Sequence, residues 1–530
     1  MAPARLIACR ALLSGAAVCL CLGLDGARAD DTFQKGADSA SADVTHPYVG
    51  SDGSTGGLPV FARQISLGPD GKTVTLGTPD HPLTLPLLLD EALRHNPATR
   101  AAWEQTRASV AGVGVARSAY YPTLTLQGTA QPSHATNPDY AGGGNTDGIG
   151  YGPALQLQYL LFDFGARAAG VEAARFQLLA DDYSFNDAIQ TLLLQVSTNY
   201  YTLDGDREVV ESDKVSLALA DHTLESARRK FDVGLGTQTA LALAQQQEAS
   251  AKFNLVAAQG QVRTDEVALA TSLGLPGNST VHVAPPAHLP TADELGESVD
   301  RMIDRALRLR PDLASKYATF RQAKATAKQA DANIYPQVTV GGTAERTWYH
   351  TTITGEPGSI PGTLGGNGSY NGHTDEASAL LTFSVDLFDG FNKVNKARLA
   401  RRQADAAQAD LATAELNAVS DVVSRFVAYR SALEQYAAAE ALVVSSQKSF
   451  DSASVSYKAG LSSILDLLTA QQTLASSKVT RAQSRAALFT TSSQLSAATG
   501  TLLPKATATP IASASASSPS PSSSPTLPQP

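Results

Sequence analysis

The chain has 530 residues with 41 basic and 50 acidic side chains, which gives a formal net charge of −9. A length of this order would accommodate about two to four ordinary globular domains. The acidic balance provides no basic stripe to neutralise phosphates, and it therefore argues against a role in binding nucleic acid.

The N-terminal segment, residues 1–29, is predicted to be a secretory signal peptide. Arg5 and Arg10 form a basic start, residues 12–24 form an apolar stretch, and Ala27 to Ala29 fit the cleavage rule. Its removal would also remove Cys9, Cys19 and Cys21, the only cysteines in the chain. Disulfide and thiol chemistry would then be absent. No later run of about 18 apolar residues occurs, so we expect an exported chain without a membrane-spanning helix.

Most of the remaining chain is one unit written twice. The segment ALRHNPATR at Ala92 is matched by ALRLRPDLA at Ala306, 214 residues later, and LFDFG at Leu161 is matched by LFDGF at Leu387, 226 residues later. Such self-similarity indicates a duplicated structural unit. The predicted organisation is signal peptide 1–29, N-terminal extension 30–82, repeat 1 at 83–275, inter-repeat equatorial linker 276–296, repeat 2 at 297–503, and a disordered Ala/Ser/Pro tail at 504–530.

Each repeat is predicted to begin with a helix of about 20 residues that stops at a Tyr-Pro pair, because the residue before proline is pushed out of the helical region. These helices cover roughly 97–120 and 311–335. A β-hairpin then follows, at about 122–162 in repeat 1 and about 336–388 in repeat 2, where apolar and polar residues alternate with period two.

Alternation over about 10 residues, with aromatic residues near both ends, is typical of strands in a membrane β-barrel. Segments 131–150 and 346–376 are rich in Gly, Asn, Pro and Ser and contain the whole length difference between the repeats, so they are expected to be exposed loops. The aromatic residues are expected to mark two membrane interfaces. They are Tyr121, Phe162, Phe164, Tyr335, Phe388 and Phe391 at one interface, and Tyr151, Trp348, Tyr349 and Tyr370 at the other.

Two short turns are predicted to convert strand into helix. Asp163 with Gly165, and Asp389 with Gly390, occupy these positions, and each Asp is expected to be the helix N-cap. Asp163-Phe164-Gly165 also spells a kinase-like triplet, but no glycine-rich or catalytic-loop motif accompanies it, so the triplet is interpreted as a turn.

Very long helices are predicted after these turns. An uninterrupted helix from Ala166 to a break at Gly234 would contain about 65 residues and extend near 100 Å at 1.5 Å per residue. Apolar residues in it follow the 4-3 spacing of a coiled-coil seam. They are Ile189, Leu193, Val196, Tyr200 and Leu203. Helices of roughly 35 residues are expected after the breaks, at 239–273 and 464–498.

Each long helix is predicted to end at a Gly-Leu break that forms the tip of a helical hairpin. Gly234 and Gly460 can adopt the left-handed conformation that ends a helix. Thr237 in the first break, and Ser462 or Ser463 in the second, can cap the helix that follows.

Four predicted strands per chain imply an assembly. An open four-stranded sheet cannot exist in lipid, because its edge groups would lack hydrogen-bond partners. Eight strands from two chains would close a barrel whose interior is filled by side chains, whereas twelve strands from three chains would leave a lumen. A trimer is therefore the smallest assembly expected to form a pore.

The double unit, the Tyr-Pro and Leu-Phe-Asp landmarks and the two Gly-Leu breaks closely resemble the TolC-like outer-membrane factors over about residues 83–503. The resemblance implies a mainly α fold with a membrane β-barrel portion. In such a homotrimer, a 12-stranded β-barrel is continued by a long periplasmic α-helical barrel, with a mixed equatorial belt. The implied function is the channel-tunnel of a tripartite efflux pump or a type I secretion system. The implied partners are a periplasmic adaptor (membrane fusion protein), an inner-membrane RND, ABC or MFS transporter, and outer-membrane lipid; no cofactor, metal or nucleic acid is implied.

The resemblance also assigns roles to residues at the two breaks. In the family, the hairpin tips dock the adaptor, and polar residues beside them close the periplasmic gate. The matching gate residues are Tyr457, Asp466 and Thr239; because Ala240 and Thr469 replace family aspartates, the gate is expected to be less charged. The matching docking residues are Val233, Gly234, Leu235, Gly236, Ala459, Gly460, Leu461 and Ser462.

Two other classes of function are considered. A periplasmic or surface coiled-coil scaffold without transport would explain the long helices, but it has no need for the four alternating segments. An enzyme is disfavoured because no catalytic motif occurs. A metal site at His282 and His288 is also disfavoured, because no Cys or acidic partner lies at ligand spacing.

Overall fold

The computed structural model describes residues 75–137, 144–290, 298–355 and 367–502. The predicted signal peptide, most of the predicted N-terminal extension and the predicted C-terminal tail lie outside these residues. The strands are β1 Thr75–Leu76, β2 Thr123–Asn137, β3 Gly144–Phe162, β4 Thr280–Val281, β5 Gln337–Gly355 and β6 Asn367–Ser384. The helices are α1 Leu85–His95, α2 Pro97–Ser118, α3 Ala166–Asp232, α4 Gln238–Ser272, α5 Val299–Leu309, α6 Pro311–Ala332, α7 Asn392–Lys458 and α8 Ile464–Ala498.

The long helices confirm the lengths predicted from the sequence. Helices α3 and α7 each contain 67 residues, and α4 and α8 each contain 35. The predicted apolar seam of α3 is buried, from Ile189 through Val196 to Leu203. Burial of such a stripe, rather than intrinsic helix propensity, supplies most of the stability of a helix in a protein.

The four long strands form one antiparallel sheet in the order β2-β3-β5-β6. Pairing between β2 and β3 continues from Thr123 to Asn137, and pairing between β5 and β6 continues from Gln337 to Thr354. The prediction that 131–150 and 346–376 are loops was therefore wrong for most of these residues. Glycine and polar residues lower strand propensity, but backbone pairing across a hairpin overrides that preference. Strand β6 ends at Ser384 rather than near residue 388.

The helices pack in two consistent orders. Near the sheet the order of neighbours is α2-α3-α6-α7, and towards the tips it is α4-α3-α8-α7. Helices α2 and α4 pack on α3 without extensive contact to α7. In the described chain, α7 and β6 therefore lie at one end of these orders, and β2, α2 and α4 lie at the other.

A smaller region contains elements that the sequence patterns did not predict. Strands β1 and β4 form a two-stranded parallel sheet. Helix α1 lies over α3 and buries Leu88 and Ala92 in a core with Leu203 and Leu273. Leu502 packs against the same core. Among the described residues, no helix combines the length and hydropathy needed to cross a membrane.

Candidate functional site: the two helical tips

The first tip is a tight turn between α3 and α4. Gly234 has a φ of +77°, the left-handed conformation that glycine adopts without a Cβ clash. The N–H of Leu235 donates to the carbonyl of Lys230 at 2.8 Å, and the N–H of Gly234 donates to the carbonyl of Phe231 at 2.9 Å. This pair of hydrogen bonds is the Schellman arrangement that satisfies the last carbonyls of a helix.

The second tip repeats this geometry between α7 and α8. Gly460 also has a φ of +77°, and the N–H of Leu461 donates to the carbonyl of Ser456 at 2.9 Å. Ser463 is the N-cap of α8, and a reciprocal pair of hydrogen bonds with Asp466 completes a capping box. Ser462 does not cap the helix: its hydroxyl is buried and has no hydrogen-bond partner.

The predicted docking residues surround these two turns. Leu235 is 83% exposed and Leu461 is 84% exposed, and Val233 and Ala459 are also exposed. Gly236 is half-buried under the last turn of α3. Thr237 caps α4 by accepting a hydrogen bond from the N–H of Ala240 at 3.1 Å. Each tip thus presents one fully projecting leucine on a rigid, internally satisfied turn.

The three predicted gate residues lie close to the tips but have separate contacts. The ring of Tyr457 lies under the Lys230 ammonium group, with 3.9 Å between the nitrogen and the ring centroid. The Ser463 hydroxyl and backbone N–H donate to the Asp466 carboxylate and hold the pKa of Asp466 below its usual value. Thr239 is exposed on the first turn of α4. No hydrogen bond between these three gate residues is present in the described chain.

Lys230 is the tip residue that the sequence did not reveal. It lies in the last turn of α3, whereas Tyr457 lies in the last turn of α7. Their cation–π contact joins the two tips within one chain. Only a basic residue one turn before the Gly-Leu break hinted at it, because the contact spans two halves of the sequence.

The strand-to-helix turns differ from the prediction in one respect. The N-cap positions are Gly165 and Phe391, two residues after the predicted Asp163 and Asp389. Each Asp still serves the helix start: Asp163 accepts from the N–H of Arg167 at 2.7 Å, and Asp389 accepts from the N–H of Lys393 at 2.8 Å.

Two consecutive residues in each turn have positive φ and so displace the cap position. They are Phe164 and Gly165 in the first turn, and Gly390 and Phe391 in the second. The glycine and the phenylalanine exchange places between the two turns, so a phenylalanine adopts the left-handed conformation in both. Asp163 also binds the Arg167 guanidinium, whose nitrogens donate to the carbonyls of Leu160 and Leu161. The side chain of Arg167 therefore ties the end of β3 to the start of α3.

The sheet has one apolar and one polar face. Register pairs Leu124 with Leu157 and Leu126 with Leu155 on one face, while Thr125 pairs with Gln156 on the other. Successive strand residues alternate between faces. Tyr151 stacks on Trp348 with ring centroids 6.1 Å apart on the apolar face. Tyr349 and Tyr370 alternate onto the polar face, so their predicted place beside Trp348 at a membrane interface was wrong.

Two buried carboxyl groups in the helices were also missed. Burial raises the pKa of Asp182 on α3 to about 7, and one of its oxygens has no hydrogen-bond partner. Burial, followed by the neighbouring Asp206 carboxyl, raises the pKa of Asp265 on α4 to about 7. Asp182 lies seven residues before Ile189 on the apolar stripe, which was the available sequence signal.

The junction between α5 and α6 contains a charged connection to α7. The Arg310 guanidinium donates to both oxygens of Asp312, at 3.1 and 2.9 Å, and to Asp421 at 2.9 Å. Such planar, two-point pairing fixes side-chain geometry. In the part of the chain that the structure describes, no cluster of three His, Cys, Asp or Glu side chains could hold a metal ion.

Comparisons with known proteins place this geometry in context. A family model described as outer membrane efflux protein matches residues 88–275 and 302–501. The chain is 26% identical over 416 residues to Protein CyaE of Bordetella pertussis, covering 78% of this chain and 83% of that protein. It is 26% identical over 427 residues to the outer membrane efflux protein BepC of Brucella suis, covering 79% and 85%. The solved outer-membrane channel OprN matches with a TM-score of 0.66 at 19% identity, covering 79% of this chain and 91% of that chain.

Proposed function

The chain belongs to the outer membrane efflux protein family, and on that premise we propose that it is the outer-membrane channel-tunnel of a tripartite efflux pump or a type I secretion system. As a member of this family it is a channel protein of the outer membrane and not an enzyme. Exported small molecules or proteins would pass through it passively, from a periplasmic adaptor and an inner-membrane RND, ABC or MFS transporter to the exterior.

The observation that carries the proposal is the four-stranded sheet with an apolar face, joined directly to 67-residue helices. Strands β2 and β6 each pair on one side only in the described chain. In lipid, their free backbone groups require partners. Three copies would supply those partners by closing twelve strands into a barrel with a lumen. A coiled-coil scaffold without transport leaves the apolar face of the sheet without a role.

The direct test combines mass and conductance. The purified full chain should be a detergent-stable trimer that changes its gel mobility on heating, and it should form ion-conducting pores in planar bilayers. A monomer that remains soluble without detergent would contradict the proposal. So would a trimer that never conducts, even after the tip contact between Lys230 and Tyr457 is removed.

The tips support a docking role because each places a projecting leucine on a rigid turn. Exposed apolar side chains of this kind mark protein–protein contact sites. We assign Leu235 and Leu461, with the adjoining residues of both turns, to the contact with the adaptor.

A further inference from the structure

One face of α4 and one face of α7 have no partner in the chain. Helix α8 packs on both 67-residue helices, α3 and α7. Helix α4 has the same length as α8 and the same position after a Gly-Leu break, yet it packs on α3 without extensive contact to α7. The chain thus contains an α3–α8 contact but not the α7–α4 contact that would correspond to it.

The helices are related by a constant shift of 226 residues, which identifies the corresponding positions. Helix α3 starts at Ala166 and α7 at Asn392, while α4 starts at Gln238 and α8 at Ile464. Adding 226 to a position in α3 gives its counterpart in α7, and subtracting 226 from a position in α8 gives its counterpart in α4. Every α3–α8 contact therefore specifies a pair of positions on α7 and α4.

Exposure differs strongly between the corresponding positions. Ala482 on α8 is 0% exposed because it packs in the helix layer, whereas its counterpart Val256 on α4 is 61% exposed. Phe253, one turn away from Val256, is 73% exposed. The matching face of α7 also carries exposed apolar side chains, which are Leu416, Val423, Val427 and Leu442. Both faces are apolar surfaces without a cover.

The tightest α3–α8 approach also has a counterpart. At Gly205 on α3, an added Cβ would lie only 2.5 Å from the Cβ of Ala486 on α8. The corresponding positions are Ser431 on α7 and Gly260 on α4. The glycine has moved to the other helix, so one small side of a close helix approach is retained. Around Gly260 no atom lies within 4 Å of an added Cβ.

We propose that the α4 face formed by Phe253, Val256 and Gly260 packs against α7 of a second copy of this chain, with Gly260 opposite Ser431. The inference rests on the proposed trimer and adds its helical seam and register. It agrees with the sheet, because β2 and β6 are the unpaired edges at the same two ends of the element order. Repetition of this contact adds one copy after another in the same rotational sense.

The seam between copies differs chemically from the seam within a chain. Glu208 on α3 pairs with Arg481 at 2.9 Å and with Arg485 at 2.8 Å on α8. The positions on α4 that correspond to these arginines are Leu255 and Gln259. The seam between copies therefore lacks this ion-pair cluster and depends on apolar contact and close approach.

Cysteine pairs in the full chain test the register. Gly260→Cys combined with Ser431→Cys should give covalent dimers and trimers on non-reducing gels under mild oxidation, since the two Cβ atoms would lie within disulfide range. The mismatched pair Gly260→Cys with Leu416→Cys should give neither, because residue 416 lies 15 residues along α7, about 22 Å away. Each single-cysteine variant serves as a background control.

The outcomes separate this inference from the proposed function. A trimer by mass in which the matched pair stays uncrosslinked would overturn the seam and leave the channel proposal standing. A monomer by mass would overturn both. As a second measurement, Gly260→Leu should reduce the trimer fraction at least several-fold, whereas Ala257→Leu should not, because Gln483 at the corresponding position of α8 is exposed. Equal trimer fractions for the two leucine variants would also count against the seam.

Discussion

At the scale of single residues, Asp182 links protonation to stability. Its pKa is about 7 in the folded chain against 3.8 for an ordinary aspartate, because burial penalises the carboxylate. A raised carboxyl pKa means that the folded state holds a proton that the unfolded state has released. The stabilisation is therefore complete below about pH 4 and is lost as the pH rises through about 7.

Asp182→Asn should remove this pH dependence. The amide cannot ionise, so we expect the variant to unfold at a higher temperature than the wild type at pH 8, by an amount corresponding to at most about 4 kcal/mol. At pH 4 the difference should be small. Thermal unfolding in detergent at both pH values measures the effect, with Asp221→Asn at an exposed position of α3 as control. An equal shift at both pH values would contradict the argument.

Lys230 and Tyr457 should influence the open fraction of the proposed channel. An exposed cation–π contact contributes about 0.5–1 kcal/mol, which corresponds to a two- to fivefold change in an equilibrium. Lys230→Met and Tyr457→Leu should each raise the ionic leak through planar bilayers by about that factor. Tyr457→Phe keeps the aromatic ring and should behave like the wild type. Unchanged leak in both of the first two variants would exclude a gating role for this contact.

Asp466 is less suitable for such a test than the sequence indicated. Its carboxylate accepts hydrogen bonds from Ser463 in the capping box of α8. Asp466→Ala would therefore remove a helix cap worth about 1 kcal/mol together with any charge at the gate. A leak in that variant could not be assigned to either cause alone.

At the scale of helices, Gly205 permits the close approach of α3 and α8. Gly205→Ala would place a Cβ 2.5 Å from that of Ala486, and we expect a loss of about 1–3 kcal/mol from the forced separation of the helices. Gly112→Ala, in a helical position with nothing within 4 Å of the added Cβ, should be neutral or stabilising by up to about 1 kcal/mol. Denaturant midpoints for the two variants measure the contrast. Similar midpoints would argue against the close contact.

The hairpin tips should matter for partner binding but not for assembly. Leu235→Ser with Leu461→Ser removes both projecting apolar side chains while leaving the glycine turns intact. We expect at least a tenfold loss of adaptor capture by crosslinking and an unchanged trimer fraction. Val115→Ser, at an exposed apolar position on α2 far from the tips, is the matched control. Full capture by the double variant would contradict the docking assignment.

The element boundaries show what a sequence of this kind reveals. Long helices were predictable because no proline interrupts Ala166–Asp232 and an apolar stripe recurs along it. The far ends of the hairpins were not, because residues such as Gly148 and Asn371 signal loops locally and only strand pairing makes them extended. Helices α1 and α5, of 11 residues each, have too few turns to establish a periodic pattern against their surroundings.

At the scale of the whole molecule, the two faces of the sheet predict opposite effects of the same charge. Leu126→Arg places a cation on the apolar face, where burial in lipid costs about 2–4 kcal/mol near the middle of a bilayer. Gln127→Arg places it on the polar face, where it would meet a water-filled lumen. We expect the first variant to be depleted from outer-membrane fractions and the second to assemble normally. Equal recovery of both would contradict the assignment of the faces.

The strands are longer than a lipid bilayer requires. A membrane-crossing strand needs about 9–11 residues, whereas β3 and β5 contain 19 residues each. With helices continuing from the other end of the sheet, the surplus of about eight residues, roughly 25 Å along the strand, would project outwards as a rigid collar. On a living cell, that collar is the part that antibodies and bacteriophages would meet first.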